Sequence, residues 1–273
     1  MRALFASPLG FLIGISLGAL GGGGSIRAVP ALVYAAGQTP KHATTTSLVL
    51  VALTALIGIV PHWRAHRVRF GAGFTFGLAG VGGSLLGSHW NKAADPNVLL
   101  LAFAGLMLIA AYGMWRRVNN TPKPAVALAR SVGAAAAAPP PAASSVHIDL
   151  LTIAKVALAG TIVGLLTGFF GVGGGFVIVP ALVLALGFTM PEAIGTSLLV
   201  ITINSAVALT TRLQAGSIEW GTVIPFTIAS LLGVVVGSRL AGTRDSSSLQ
   251  RWFVALLVVV ATYTAIRSGL ALR

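Results

Sequence analysis

Gly168-Phe169-Phe170-Gly171-Val172-Gly173-Gly174-Gly175-Phe176-Val177-Ile178-Val179-Pro180 decides the fold, because the chain carries an earlier copy of it, Gly18-Ala19-Leu20-Gly21-Gly22-Gly23-Gly24-Ser25-Ile26-Arg27-Ala28-Val29-Pro30. Laying residues 8–117 over 158–267 without a gap gives 31 identities in 110 positions, among them Thr46-Ser47-Leu48 with Thr196-Ser197-Leu198. The chain is a duplicated unit. Consecutive glycines sustain a helix poorly and leave backbone N–H and C=O groups free. A duplicated apolar unit broken at the same place in each copy is how many secondary transporters build a site between two halves.

Hydrophobic residues make up 56% of the 273 and charged residues 8%, with a mean hydropathy of +0.92. A soluble domain carries about 25% charged residues. The apolar segments run uninterrupted instead of alternating with period 2, which excludes a β-barrel and leaves an all-α polytopic transmembrane bundle of two homologous repeats. The formal charge of +13 is read as basic residues that flank spans and set topology, not as a nucleic-acid surface. With no cysteine, disulfides, thiolate metal sites and Cys nucleophiles are excluded. His42, His62, His66, His89 and His147 lack zinc-ligand spacing, so neither a metal nor a cofactor is implied.

Residues 1–117 form the first repeat and 150–273 the second, joined by a flexible Ala/Pro linker at 118–149 that holds five alanines from Ala134 and three prolines from Pro139. Each repeat opens with a glycine-broken element, near 3–37 and 152–187. Spans follow near 43–61, 70–90 and 97–115, and near 193–211, 221–240 and 250–268. If the broken element crosses the membrane, the repeats are parallel and 12 basic residues face five across the bilayer; if it is re-entrant, the repeats are inverted and the count is 11 against six. The larger excess favours eight spans with both termini cytoplasmic, in the inner (plasma) membrane.

The ladders Gly10/Gly14/Gly18 and Gly160/Gly164/Gly168 put hydrogen-only side chains on one helix face, as close helix packing requires. After each glycine run the chain is expected to re-enter helix near Ile26 and Phe176, with Pro30 and Pro180 in a first helical turn. Such starts point N–H donors and a positive dipole end at the break, which favours an anion. The candidate substrate site therefore comprises Gly22, Gly23, Gly24, Ser25 and Arg27 in the first repeat and Gly173, Gly174 and Gly175 in the second. Thr46, Ser47, Thr196, Ser197 and Asn204 add uncharged donors. Arg27, whose counterpart is Val177, either supplies charge to the site or snorkels to the surface. The hydroxyls alternatively bond back to their own helices. His89 and Arg239 read as interfacial anchors. Asp95, Asp149, Glu192, Glu219 and Asp245 all fall at expected ends or loops, which disfavours a carboxylate proton relay, a magnesium-diphosphate enzyme and catalysis generally.

The motif Gly164 through Gly168 to Gly171-Val172-Gly173-Gly174-Gly175-Phe176-Val177-Ile178-Val179-Pro180, with Ala193-Ile194-Gly195-Thr196-Ser197-Leu198, Gly237-Ser238-Arg239-Leu240-Ala241 and their weaker first-half copies, resembles the TauE/SafE family of membrane proteins. The resemblance covers nearly the whole chain outside the linker. It implies an exporter or permease for sulfite, organosulfonates or other small sulfur-containing anions, with a proton or sodium ion as possible coupling partner. Rocking of one repeat against the other would move the substrate. The other reading of the residues is a membrane subunit whose glycine runs serve packing alone and whose task is to anchor a partner protein.

Overall fold

The computed structural model describes residues 2–22, 28, 32, 37–38, 40–91, 96–120, 150–170, 175–212 and 220–271. Among them lie nine helices: α1 (Arg2–Leu20), α2 (Pro40–Arg64), α3 (Phe70–Asn91), α4 (Pro96–Asn120), α5 (Leu150–Phe170), α6 (Gly175–Leu184), α7 (Met190–Arg212), α8 (Trp220–Thr243) and α9 (Ser246–Ala271). Seven of these, all but α1 and α6, are long and apolar enough to cross a membrane. The expected spans are each present and extend by up to five residues at either end, because polar ends such as Asn91, Arg116-Arg117 and Ser246-Ser247-Ser248 continue the helical backbone beyond the apolar stretch. Pro180 is the sixth residue of α6, later than the first-turn place expected for it, since the helix already starts at Gly175.

The glycine ladders pack backbone on backbone, and they do so across the two repeats. A β-carbon on Gly14 of α1 would stand 2.8 Å from the Ser230 carbonyl carbon and 2.9 Å from Val234 N on α8, and Gly10 meets Phe226 in the same way. In return, Gly233 and Gly237 of α8 lie against Phe11, Ile15 and Ala19 of α1. The second repeat repeats the arrangement. Gly160, Gly164 and Gly168 of α5 face Phe76, Gly80 and Ser84 of α3, while Gly83 and Gly87 of α3 face Thr161, Leu165 and Phe169. Each first helix is thus clamped to a helix of the other repeat, α1 to α8 and α5 to α3. One continuous apolar core, from Ile13 and Leu17 through Leu50, Phe76, Ile178, Leu198 and Phe226 to Phe253, runs through both.

These registers also fix helix directions. Gly10, Gly14 and Gly18 meet Phe226, Ser230 and Val234 in ascending order, so α1 runs parallel to α8; Thr54 with Ser230 and Gly58 with Val234 make α2 parallel to α8 as well. By contrast, Gly58 meets Leu198 and His62 meets Gly195, so the equivalent helices α2 and α7 are antiparallel. Within the second repeat, Ala181, Ala185 and Leu186 lie beside Lys155, Leu158 and Ile162, which shows α6 folding back along α5. The directions describe inverted units with a re-entrant first element, not the parallel, eight-span arrangement favoured by the larger basic excess. The positive-inside rule separated the two alternatives by a single basic residue, and backbone packing decides between them.

At one face of the bundle, termed here the linker face, α2, α4 and α8 end and α3, α5, α7 and α9 begin. Arg69 pairs with Glu192 at 2.6 Å, Met190 N–H donates to Ser246 Oγ at 3.2 Å and Gln250 Nε2 donates to the Met114 carbonyl at 2.9 Å, tying these ends together. α1 begins and α9 ends toward the opposite face. Exposed Trp63, Trp115 and Trp252 ring the linker face and Trp90 the other, as interfacial aromatics do. In the central pair α2 and α7, 61% and 56% of the apolar window is buried, against 22–33% in α3, α4, α5 and α9, whose outer faces expose Leu78, Leu86, Ile109 and Ile162 to lipid.

Gly14→Leu is expected to abolish folded, monodisperse protein, because the side chain would meet backbone that cannot yield and even ordinary overpacking costs about 1–3 kcal/mol. Gly82→Leu, where a β-carbon has nothing within 4 Å, should leave yield and thermal midpoint unchanged. Size-exclusion profile and thermal melting of the two variants distinguish the outcomes.

Candidate functional site

The two helix breaks meet. Gly21 ends α1 with φ +76°, a backbone that L side chains rarely adopt, and a β-carbon there would strike Ser197 Oγ and stand 3.1 Å from Val179 Cγ2. Gly22 lies directly against the Gly175 carbonyl and 2.6 Å (from an ideal β-carbon) from Phe176 N, the first turn of α6. Thus the end of the first helix of one repeat touches the start of the half-helix of the other and the second turn of α7, all of it buried. The geometry joins Gly22, Gly175 and Ser197 of the expected site. Gly23, Gly24, Ser25, Arg27, Gly173 and Gly174 lie outside the described residues.

The hydroxyls have specific partners. Ser47 Oγ donates to the Thr44 carbonyl and Ser197 Oγ to the Ile194 carbonyl, each at 2.8 Å, so the back-bonding alternative holds for both serines. A serine so bonded keeps its oxygen lone pairs but has no proton left to donate to an anion. Thr196 Oγ1 accepts the Arg69 backbone N–H at 3.1 Å and caps the chain entering α3. Thr46 is 1% exposed on α2, at the position equivalent to Thr196. α6 is held at its other end by Arg117, whose guanidinium donates to the Val183 carbonyl and, at 3.0 Å, to the Gly187 carbonyl. That cation satisfies C-terminal carbonyls and opposes the negative end of the half-helix dipole.

Asn204 stands apart from the breaks, seven residues beyond Ser197 and so about 10 Å along α7. In the first repeat its counterpart is Thr54, which bonds the Leu50 carbonyl at 2.6 Å and lies 3.3 Å from Ser230 Oγ. In the second repeat Gly80 occupies the place of Ser230, and the larger amide faces it: a β-carbon on Gly80 would be 4.0 Å from Asn204 Nδ2. The Thr and Ser pair of one half is exchanged for Asn and Gly in the other, and Asn204 Oδ1 is left buried without a hydrogen-bond partner. No described contact connects Asn204 to Gly21 or Gly22. His89 and Arg239 are exposed at helix ends, where interfacial anchors belong. Among the described residues no cluster of His, Asp and Glu could hold a metal ion.

His62 is the residue that sequence reasoning passed over. It is 2% exposed, with Nε2 3.3 Å from the Gly18 carbonyl. The signal available in the sequence was its place at the end of a long apolar run, directly after Pro61, in a chain with few ionisable residues.

The model of the family described as sulfite exporter TauE/SafE matches residues 6–264. The chain belongs to the TauE/SafE family. A "probable membrane transporter protein" of Xylella fastidiosa (strain 9a5c) is 34% identical over 269 residues, covering 96% of this chain and 95% of that protein. The probable membrane transporter protein YunE of Bacillus subtilis is 24% identical, over 94% of this chain and 91% of its own length. A further relative from Methanocaldococcus jannaschii is 34% identical over 122 residues, 42% of this chain and 46% of the relative. No solved structure matches this TauE/SafE protein. As a family member it is a multi-pass membrane transporter.

The double substitution Asn204→Thr with Gly80→Ser rebuilds the hydroxyl pair of the first repeat. Removing a buried unsatisfied carbonyl is worth about 1–3 kcal/mol, so the variant is expected to melt no lower than the parent, while any transport that uses the amide falls. A lower melting point would mean that Asn204 serves packing.

Proposed function

We propose that this TauE/SafE protein is a secondary transporter of the bacterial inner membrane that carries a small oxyanion, sulfite or an organosulfonate, in the manner of an exporter or permease. The observation that carries the reading is the contact of Gly21-Gly22 with Gly175-Phe176 and Ser197. It brings a helix end and a half-helix start from opposite repeats to one buried point, where free backbone groups are tolerated only beside a cavity or within protein. The N–H groups that open α6 suit an anion, and the family's description names sulfite. In this reading Gly22, Gly23, Gly24 and Ser25 with Gly173, Gly174 and Gly175 shape the site and Arg27 supplies charge. Thr46, Ser47, Thr196 and Ser197 form its floor, and Asn204 acts one step farther along the path. Val177, the counterpart of Arg27, is buried on α6, so the two halves contribute unequally.

The linker face is assigned to the cytoplasm and both termini to the outside, reversing the orientation expected from sequence. It gathers Arg64, Arg67, Arg69, Arg116, Arg117, Arg239, Arg244 and Arg251. The clamped pairs α1 with α8 and α3 with α5, each of mixed parentage, are then the natural moving bodies, in place of the sequence repeats.

Uptake of radiolabelled sulfite and of a small sulfonate into proteoliposomes, with sulfate and chloride as competitors, tests the function. Saturable uptake is expected, and Arg27→Ala should weaken it by more than tenfold in folded protein; no uptake of any anion from folded protein would favour the anchoring role. In this cysteine-free chain, Ala125→Cys should be labelled only from the cytoplasmic side and Ala271→Cys only from outside. Labelling of both from the same side would overturn the inverted topology.

A further inference from the structure

His62 is buried where three elements converge on the first break. Its Nε2 is 3.3 Å from the Gly18 carbonyl, and a carbonyl only accepts. In the neutral ring Nε2 therefore carries the hydrogen, and Nδ1 is a bare lone pair, buried without a hydrogen-bond partner. The Gly18 carbonyl is available because the helix stops. Had α1 continued, the Gly22 N–H would have taken it; instead Gly22 N–H donates to the Leu20 carbonyl at 3.1 Å and Gly21 N–H to the Leu17 carbonyl at 2.8 Å. Gly18 thus presents one of the orphan carbonyls at the negative end of the α1 dipole. At the root of the His62 side chain, a β-carbon on Gly195 would be 3.1 Å from His62 Cβ. Gly195 leads directly into Thr196-Ser197, and Ser197 is packed on Gly21.

The charged surroundings are sparse and mostly basic. On α2 and beyond it are Arg64, His66 and Arg67, whose N–H donates to the His62 carbonyl at 2.9 Å and whose own carbonyl faces Gly195. Described α1 side chains from Pro8 to Leu20 include no titratable group. On α7, Glu192 lies one turn before Gly195 but is engaged by Arg69 at 2.6 Å and by the Thr189 hydroxyl at 2.9 Å. On α8, Arg239 follows Ser238, which faces Gly18, and is itself exposed. A proton arriving at Nδ1 would find the α1 carbonyl end as its stabilising dipole and, among the described residues, no free carboxylate to neutralise it. It would also create a new N–H donor that needs an acceptor.

We propose that His62 is a proton-binding site coupled to the first helix break, so that a proton on Nδ1 and an oxyanion at the break each favour binding of the other. The reciprocity is thermodynamic: if the proton tightens anion binding, the anion tightens proton binding by the same factor. As a coupling site His62 rests on the transport reading given above. As a titrating group attached to the break it does not.

The test uses full-length protein in nanodiscs with 15N-labelled histidine. The imidazole resonance missing from His62→Gln, a variant that keeps a donor for the Gly18 carbonyl but cannot titrate, should shift between pH 5 and 8. Hydrogen-exchange protection factors of residues 18–22 should change by at least threefold over the same range in wild type, and not in the variant. His42→Gln serves as control. A resonance that does not titrate, or protection at 18–22 that ignores pH, overturns the proposal; should His62→Gln fail to fold, the wild-type protection factors alone decide it. Where proteoliposomes take up sulfonate, His62→Gln is expected to remove most of the acceleration by an imposed pH gradient, and an undiminished gradient effect refutes coupling. Absence of uptake in wild type refutes the transport reading while the resonance and exchange measurements still decide the proton site.

Discussion

Hydrocarbon offers a peptide group no hydrogen-bond partner, so a helix that stops inside a membrane must have its loose N–H and C=O groups covered by protein. This protein stops two helices inside, one in each repeat. The covering comes from glycine: bare faces on α1 and α5 let their backbones press onto α8 and α3, and the break at Gly21-Gly22 then rests on Gly175 and Ser197. A side chain at Gly14, Gly164 or Gly83 would separate those pairs and uncover the break. The close packing and the candidate site are consequences of one constraint.

Much of this was legible in the sequence. Apolar stretches of near-uniform length named the spans, and the gapless duplication placed the breaks, because glycine and proline act locally through backbone freedom and a missing N–H. Repeat orientation was not legible. It depends on which helix each glycine face meets, a long-range pairing that leaves no trace in local composition, whereas the basic residues divide almost evenly between the two alternatives. Nor could the chain reveal that Ser47 and Ser197 spend their protons on their own helices, or that Thr196 caps the chain entering α3. A hydroxyl near a break looks the same in sequence whether it faces a ligand or a carbonyl.

The duplication is most informative where the copies disagree. Asn204 with Gly80 conserves the bulk of Thr54 with Ser230 while leaving a carbonyl oxygen unpaired, and His62 has Arg212 as its counterpart. Each departure leaves the helix frame intact and changes only the polar content of one half. A symmetric scaffold holding asymmetric polar groups can present different chemistry to the two faces of a membrane, as directional transport requires.

The clamp between α1 and α8 also sets a schedule for biosynthesis. Gly14 leaves the ribosome more than 200 residues ahead of Ser230, and at about 5–20 residues per second the first helix waits roughly 10–40 s for its partner. Throughout that interval its glycine face has only lipid, the translocation machinery or a chaperone against it. The second clamp closes sooner, because α3 is already in place when α5 emerges. Assembly therefore begins in the middle of the chain, and the amino-terminal helix, synthesised first, is locked last.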